Sequence, residues 1–271
     1  MTGDPTPVEA ADDPRVGLFA NLTDVDLRTA LEPSRGIFMA EGMLIIERCV
    51  QRSLEIVAVL TSPKWLDRLM PLLAHTHAPV YVGTDSVLES ITGYRVHRGA
   101  LAVVRRPRLS TVEEVLDSGR DILVLEDLVD PTNVGLAIRS AVVQGISEVV
   151  LSPACADPLY RKAVKSSMGA VLRCRWARSD DWPGTLADLS RTRSLIALTP
   201  AADDDLVDTL GEVAGAPVAL MVGSEGPGLT DRAVRQAWRS CSIRMATSED
   251  SLNVAAAVAV ACFARSRSMT A

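Results

Sequence analysis

The sequence lacks the features that define several large classes of protein. No segment of its 271 residues approaches the roughly 18 uninterrupted apolar residues of a membrane-spanning helix, so we expect no membrane association. The N-terminus has no basic region followed by an apolar run, which predicts that it is not a secretory signal. The five cysteines stand singly, without a C-x-x-C pair, and this favours reduced thiols in the cytoplasm.

Histidine is also scarce, with three residues that all lie in the first half of the chain. His75 and His77 could share a metal ion, but no cysteine or carboxylate cluster accompanies them, so we expect a solvated loop and no metal site. The net charge of −6 gives no general sign of nucleic-acid binding. Two windows, 94–108 and 160–178, nevertheless contain arginine and lysine but no acid. They are either local contacts for a polyanion or solvated faces.

Hydrophobic patterning divides the chain into two α/β units. Residues 37–104 alternate helix and strand patterns, beginning with helical spacing over 39–52. In the second half, short apolar runs alternate with helical stretches, as in buried parallel strands connected by helices. These runs lie at 122–125, 148–151, 195–198 and 218–222. Between the units, Thr111 and Glu114 predict a capping box for a short helix. We predict a disordered tail at 1–14, an N-terminal domain at 15–106, a linker at 107–120 and a second domain at 121–271.

The last predicted helix, residues 254–264, is apolar on every face. A helix of this kind in a water-soluble protein must be covered all round. It is therefore either the centre of its domain or shared with a second subunit. Its small side chains permit close approach of another helix, and we favour a dimer interface.

Polar residues follow the first apolar run of the second unit. Asn133 is a good N-cap for a helix over 134–144, which contains Arg139 among nearly all apolar neighbours. If buried there, Arg139 needs an anionic partner, because an unpaired buried charge is costly. The partner is either a nearby acid, Asp127 or Glu126, or a substrate phosphate, which suits the guanidinium group.

Two further stretches mix glycine with polar residues. Gly223-Ser224-Glu225-Gly226-Pro227-Gly228 follows an apolar run, and its glycines let the backbone turn sharply and approach a ligand. Its spacing matches neither the dinucleotide-binding turn nor the hydrolase nucleophile motif. Ser251-Leu252-Asn253-Val254 opens the last helix, where Ser251 or Asn253 can act as the N-cap. Capping explains only one of these two polar residues.

The order and spacing of these stretches, together with Ile243-Arg244-Met245, resemble the SpoU (TrmH) family of RNA 2′-O-ribose methyltransferases, within the SPOUT superfamily. The resemblance covers residues 121–265, and Phe38-Met39-Ala40-Glu41-Gly42 is similar to part of that family's substrate-binding domain. It implies an α/β fold, in which a C-terminal, trefoil-knotted, mostly parallel sheet carries helices on both faces. A small N-terminal α/β domain would bind RNA, and the protein would be a homodimer.

The resemblance also implies S-adenosylmethionine as the cofactor. By position, the cofactor would contact Gly223, Ile243, Leu252, Thr199 and Met245. The catalytic group would comprise Arg139, Asn133, Glu225, Ser251 and Asn253. We assign RNA binding to basic residues of the two windows, namely Arg95, Arg98, Arg105, Arg106, Arg161 and Lys165. Members of the family usually have proline where this chain has Arg244, which either loosens the cofactor loop or adds a phosphate contact.

Analogy with the family favours ribosomal RNA over transfer RNA as the partner. Two alternatives come from other classes. The first is an RNA-binding protein with this fold that has lost catalysis, which the presence of Arg139, Glu225 and Asn253 disfavours. The second is a methyltransferase for a small molecule or a protein, which the separate N-terminal unit and the basic windows disfavour.

Overall fold

The structure is a computed structural model that describes residues 4–96, 99–246 and 251–269. The chain forms two compact units. The first comprises the described residues up to Arg108 together with Leu159–Leu172, and the second comprises Leu109–Pro158 and the described residues from Arg173 onward. The assignment of Leu159–Leu172 to the first unit is not evident from the sequence. No helix of the described chain is long and apolar enough to cross a bilayer.

The first unit is built on a mixed five-stranded sheet of order β1-β4-β3-β5-β2. Its strands are β1 (Thr6–Pro7), β2 (Ile37–Glu41), β3 (Ile56–Thr61), β4 (Val80–Val82) and β5 (Ala100–Arg105). Its helices are α1 (Val25–Ser34), α2 (Met43–Gln51), α3 (Leu66–Leu73), α4 (Asp85–Thr92) and α7 (Arg161–Ser166). The pairs β1–β4 and β4–β3 are parallel, whereas β3–β5 and β5–β2 are antiparallel.

Two expectations for this unit are wrong. The predicted disordered tail includes Thr6–Pro7, which pairs with β4, and Val8, which is buried. The predicted helix from residue 39 instead begins at Met43, because Ile37–Glu41 is a strand whose five residues are all buried. Pairing with β5 outweighs the helical spacing of these apolar residues.

The second unit is a six-stranded sheet of order β11-β9-β10-β6-β7-β8, with every pair of neighbours parallel. Its strands are β6 (Ile122–Leu125), β7 (Glu148–Leu151), β8 (Arg175–Arg178), β9 (Ser194–Leu198), β10 (Val218–Val222) and β11 (Arg239–Cys241). Its helices are α5 (Val112–Leu116), α6 (Pro131–Val143), α8 (Trp182–Thr192), α9 (Leu206–Glu212), α10 (Asp231–Gln236) and α11 (Val254–Ser268). The four predicted apolar runs form the four central strands.

Helices cover both faces of this sheet, as expected. Ile122 and Val124 point into a core that α5, α8 and α10 complete. Alternation along a strand places Leu123 and Leu125 on the other face, where they are fully buried and where α6 and α11 pack on β6 and β10. The trefoil knot implied by the family resemblance remains a prediction.

Part of the predicted linker belongs to the second unit. Thr111 and Glu114 form the predicted capping box, with each side chain accepting a hydrogen bond from the backbone of the other residue. The short helix α5 that it starts buries Val115 in the core of the second unit.

Candidate active site

A cavity of about 470 Å³ opens in the second unit where the loops after β9, β10 and β11 meet the start of α11. All strands of this sheet are parallel, so their carboxyl ends lie at one edge, which is where ligands bind in open α/β sheets. The volume falls within the range of roughly 300–1,000 Å³ typical of small-molecule sites.

All five residues predicted to contact the cofactor line this cavity. They are Gly223, Ile243, Leu252, Thr199 and Met245. Met245 and Leu252 leave 38% and 42% of their surface exposed. Exposed large apolar side chains at the wall of a cavity are typical of a ligand site.

Gly223 lies where the loop after β10 closes on itself. A Cβ atom at this position would lie 2.2 Å from the carbonyl carbon of Gly228 and 2.3 Å from the nitrogen of Leu229. The loop is tied by a hydrogen bond from the nitrogen of Gly228 to the carbonyl oxygen of Ser224, at 3.0 Å. A side chain at position 223 would therefore displace backbone that borders the cavity.

Asn253 connects the three sequence stretches. Its Oδ1 caps α11 by accepting a hydrogen bond of 2.9 Å from the nitrogen of Ala255, which confirms one of the two predicted caps. Its Nδ2 donates to the carboxylate of Glu225 and lies 3.2 Å from Oδ1 of Asn133. One amide thus fixes the start of α11, the glycine-rich loop after β10 (residues 223–228) and α6 relative to one another.

The predicted role of Asn133 as an N-cap is wrong. Helix α6 begins earlier, at Pro131, and Asp130 caps it by accepting a hydrogen bond from the nitrogen of Thr132. Asn133 is a buried residue inside the first turn. Its side chain is therefore available to Asn253 instead of being used for capping.

Arg139 is not buried, although nearly all of its neighbours on α6 are apolar. Its side chain is exposed on α6, it is not among the residues that line the cavity, and no hydrogen bond or ion pair joins it to the described chain. The suggested acidic partners are engaged elsewhere, because Glu126 accepts a hydrogen bond from Trp182 and Asp127 accepts one from Ser152. A structural ion pair therefore does not account for Arg139.

Glu126 has a role that sequence reasoning missed. Its carboxylate is buried and accepts hydrogen bonds from the indole of Trp182 at 2.7 Å and from the nitrogen and hydroxyl of Thr230 at 2.8 and 2.9 Å. Its own nitrogen donates to the carbonyl of Val222 at 2.9 Å. Glu126 thereby holds both ends of the glycine-rich loop. An acid directly after a buried apolar strand is the only sequence signal for this role.

Two further residues lie around the cavity. Ser251 lines it and is exposed. Arg244, which stands where the family usually has proline, is 82% exposed and forms an ion pair of 3.5 Å with Asp205. This ion pair joins the loop after β11 to the start of α9. A side-chain contact is therefore present in this chain at the position where a proline ring would restrict the backbone.

The residues predicted to bind RNA in the first window differ in their environments. Arg95 is exposed. Arg105 is also exposed and lies 3.6 Å from a carboxylate oxygen of Glu55. Arg106 is half-buried and donates from Nε to a backbone carbonyl, and Arg98 lies outside the described residues. Arg95 and Arg105 are thus the described members most available to a polyanion.

The two predicted RNA contacts of the second window both pair with Glu41 within the first unit. Arg161 is largely buried, lies 2.8 Å from the Glu41 carboxylate and stacks over the ring of Tyr94 at 4.8 Å. Lys165 lies 2.5 Å from the other oxygen of Glu41, and its side chain is 40% exposed. RNA binding by both residues remains a prediction, but Arg161 already has structural partners.

Comparison with known proteins identifies the family of this chain. The sequence model of the SpoU rRNA methylase family matches residues 120–263. The chain belongs to the SpoU rRNA methylase family. It is 37% identical to a protein of Mycobacterium bovis that is named an uncharacterized tRNA/rRNA methyltransferase. The alignment covers 95% of this chain and 90% of the length of that protein. It is 31% identical to the 23S rRNA (guanosine-2′-O-)-methyltransferase RlmB of Yersinia pestis, over 81% of this chain and 91% of that protein.

Solved structures confirm the fold along most of the chain. An AdoMet-bound rRNA methyltransferase from Sinorhizobium meliloti superposes with a TM-score of 0.82 at 23% identity, with 98% of both chains covered. An RNA 2′-O ribose methyltransferase superposes with a TM-score of 0.80 at 24% identity, with 98% of this chain and 100% of that chain covered.

Proposed function

We propose that this protein transfers a methyl group from S-adenosylmethionine to a ribose 2′-hydroxyl of ribosomal RNA. The observation that carries the proposal is the hydrogen-bonded group of Asn253, Glu225 and Asn133 beside a cavity lined by all five predicted cofactor residues. Membership of the SpoU rRNA methylase family and the likeness to a 23S rRNA 2′-O-methyltransferase support the same reaction. A transfer RNA substrate is the alternative, and the enzyme would act in the cytoplasm.

The residues around the cavity fit S-adenosylmethionine. Apolar side chains such as Leu198, Val222 and Val254 line it and suit an adenine ring. The closely folded backbone at Gly223 and the neighbouring polar groups suit the ribose and the amino-acid portion. When bound, this molecule supplies an electrophilic methyl group on a sulfonium. Gly223, Ile243 and Leu252 would hold it through backbone groups, with Thr199 and Met245 beside them.

The side chains of the protein must activate a poor nucleophile. A ribose hydroxyl loses its proton as it attacks, here to water, because a guanidinium that is already protonated near neutral pH cannot accept it. Arg139 therefore binds the phosphate next to the reacting ribose and stabilises the developing alkoxide. Asn133, Glu225, Ser251 and Asn253 hold the ribose and the arginine in a fixed geometry, which accelerates the reaction by orientation.

We propose that Arg139 acts at the cavity of a second copy of the chain, because its exposed side chain does not line the cavity of its own copy. Exposed apolar side chains support a homodimer built on α6 and α11. Val260 and Phe263 on α11 are 41% and 55% exposed, and Val143 on α6 is 71% exposed. Val143 lies one turn beyond Arg139 on the same helix face. Burial of this face against another copy would carry Arg139 to the cavity of that copy.

Mixing two inactive variants tests this arrangement. Arg139→Ala should bind S-adenosylmethionine with nearly wild-type affinity in calorimetry and lose methyl transfer. Gly223→Ala should bind it roughly 5- to 150-fold more weakly and lose most of its activity at a cofactor concentration well below its raised dissociation constant. If Arg139 acts across the interface, an equimolar mixture refolded together should regain roughly a quarter of wild-type activity, because half of the dimers contain one complete site. Near-wild-type turnover by Arg139→Ala alone would contradict its assignment, and a mixture without activity would contradict its action across subunits.

A further inference from the structure

The first unit contains a cavity of its own, of about 320 Å³. It is lined by residues 41–45, Trp65, Arg68, Lys165 and Met168. We propose that this cavity binds one unpaired nucleotide of the RNA substrate, with the base against Trp65 and the phosphate between Arg68 and Lys165. The proposal rests on the proposed function, since it assigns a second contact to the same RNA.

The walls of the cavity suit a flat, partly apolar group. Trp65 is half-buried, so part of its ring is accessible. Met43, Ile45 and Met168 also line the cavity, and methionine side chains adapt to aromatic ligands through their polarizable sulfur atoms. Stacking on an aromatic side chain is the main way in which proteins hold unpaired bases, and it tolerates any base.

The charges around the cavity favour an anion. Arg68 is exposed, lies with its guanidinium 5.6 Å from the centre of the Trp65 ring, and has no ion pair within the described chain. A guanidinium beside an aromatic ring can pair with a phosphate while it contacts the base.

Lys165 contributes the second positive charge. Among the described residues that line the cavity, Glu41 is the one carboxylate; it is buried and is shared by Arg161 and Lys165, so two cations face one anion. Burial alone would raise the pKa of Glu41, but hydrogen bonds and ion pairs with Lys165 and Arg161 outweigh it, and the pKa is lowered. Glu41 therefore stays ionised and neutralises one cation, which leaves Lys165, with its partly exposed side chain, able to attract a phosphate.

The size of the cavity limits the occupant. Its volume is near the lower end of the range of about 300–1,000 Å³ for small-molecule sites, which accommodates a single nucleotide and excludes a duplex. A neutral apolar ligand would make no use of Arg68 and Lys165. The combination of an accessible indole ring with surplus positive charge matches a base attached to a phosphate.

Fluorescence anisotropy with the full-length protein tests the proposal. The probe is a labelled single-stranded RNA of mixed sequence and roughly 12 nucleotides, within the usual site sizes, titrated at several salt concentrations. Trp65→Ala should weaken binding roughly 5- to 150-fold without changing the salt dependence, as expected for loss of base stacking. Trp65→Phe should restore most of the affinity. Arg68→Ala should weaken binding and lower the slope of log K against log salt by about 1.

Arg52→Ala is the matched control, because Arg52 is an exposed arginine at the opposite end of α2 from the cavity. It should bind RNA nearly as tightly as the wild type. Thermal unfolding and calorimetry with S-adenosylmethionine show whether each variant is folded. If wild-type protein methylates RNA but Trp65→Ala, correctly folded, binds RNA as tightly as wild type, the cavity proposal is wrong and the proposed function stands. If wild-type protein neither binds nor methylates RNA, both are wrong.

Discussion

A single methyl group added at position 223 should disrupt the proposed S-adenosylmethionine site, which we call the donor site. In Gly223→Ala, the new Cβ would lie 2.2 Å from the carbonyl carbon of Gly228, so the backbone must move by roughly 1 Å to reach an ordinary contact. Overpacking of this kind costs about 1–3 kcal/mol. If the loop relieves the clash by opening, the dissociation constant of S-adenosylmethionine should rise roughly 5- to 150-fold, since about 1.4 kcal/mol corresponds to a factor of ten.

Isothermal titration calorimetry with S-adenosylmethionine measures this change, and two other glycines provide controls. Gly211→Ala has open space and lies in α9, so it should leave affinity unchanged and stabilise the fold by about 0.5–1 kcal/mol. Gly226→Ala also has open space but a φ of +90°, and it should cause a smaller loss than Gly223→Ala. If folded Gly223→Ala binds as tightly as Gly211→Ala, the loop after β10 does not form the donor site.

Three further predictions follow from the hydrogen bonds and exposed faces. Asn253→Asp keeps the helix cap but places a carboxylate beside Glu225. Because hydrogen bonds worth about 0.5–1.5 kcal/mol each are lost, the rate of methyl transfer should fall at least roughly tenfold. An unchanged kcat/KM would refute the role of this amide. Phe263→Asp puts a charge on the exposed face of α11 and should yield monomers in light scattering, so a persistent dimer would place the interface elsewhere. The lowered pKa of Glu41 stabilises the folded state above its unfolded pKa of about 4.3, and this contribution is lost as the pH falls through the folded pKa. Thermal unfolding of wild type should therefore depend more steeply on acid pH than that of Glu41→Gln. Identical profiles would show that the ion pairs of Glu41 with Lys165 and Arg161 contribute no net stability.

The central strands of the second unit could be predicted because they are buried on both faces and read as continuous apolar runs. The edge strands Arg175–Arg178 and Arg239–Cys241 have exposed and charged residues and give no such signal. The strand Ile37–Glu41 has a clear apolar pattern, but part of it was predicted as a helix. Its apolar residues fit a helix or a strand equally well, and only pairing with β5, some 60 residues away in sequence, decides between them.

The gathering of the five predicted cofactor residues around one cavity was predictable, but the contacts of Asn253 and Glu126 and the position of Arg139 were not. The order of the motifs brings Gly223, Asn253 and their neighbours to one cavity, as the family resemblance implies. The exposure of Arg139 was not predictable, because sequence shows which residues share a helix but not what covers each face. Glu126 was missed for a similar reason, since Thr230, its main partner, is 104 residues away.

The most direct test of the proposed reaction is the identity of the methylated atom in RNA. Ribosomal RNA from cells that lack this protein would be incubated with the purified protein and S-adenosylmethionine carrying a labelled methyl group, digested to nucleosides and analysed by mass spectrometry. We predict the label in a single 2′-O-methylated nucleoside, absent with Arg139→Ala. Label on a base, or no label in ribosomal RNA under conditions where S-adenosylmethionine binds, would contradict the proposed function.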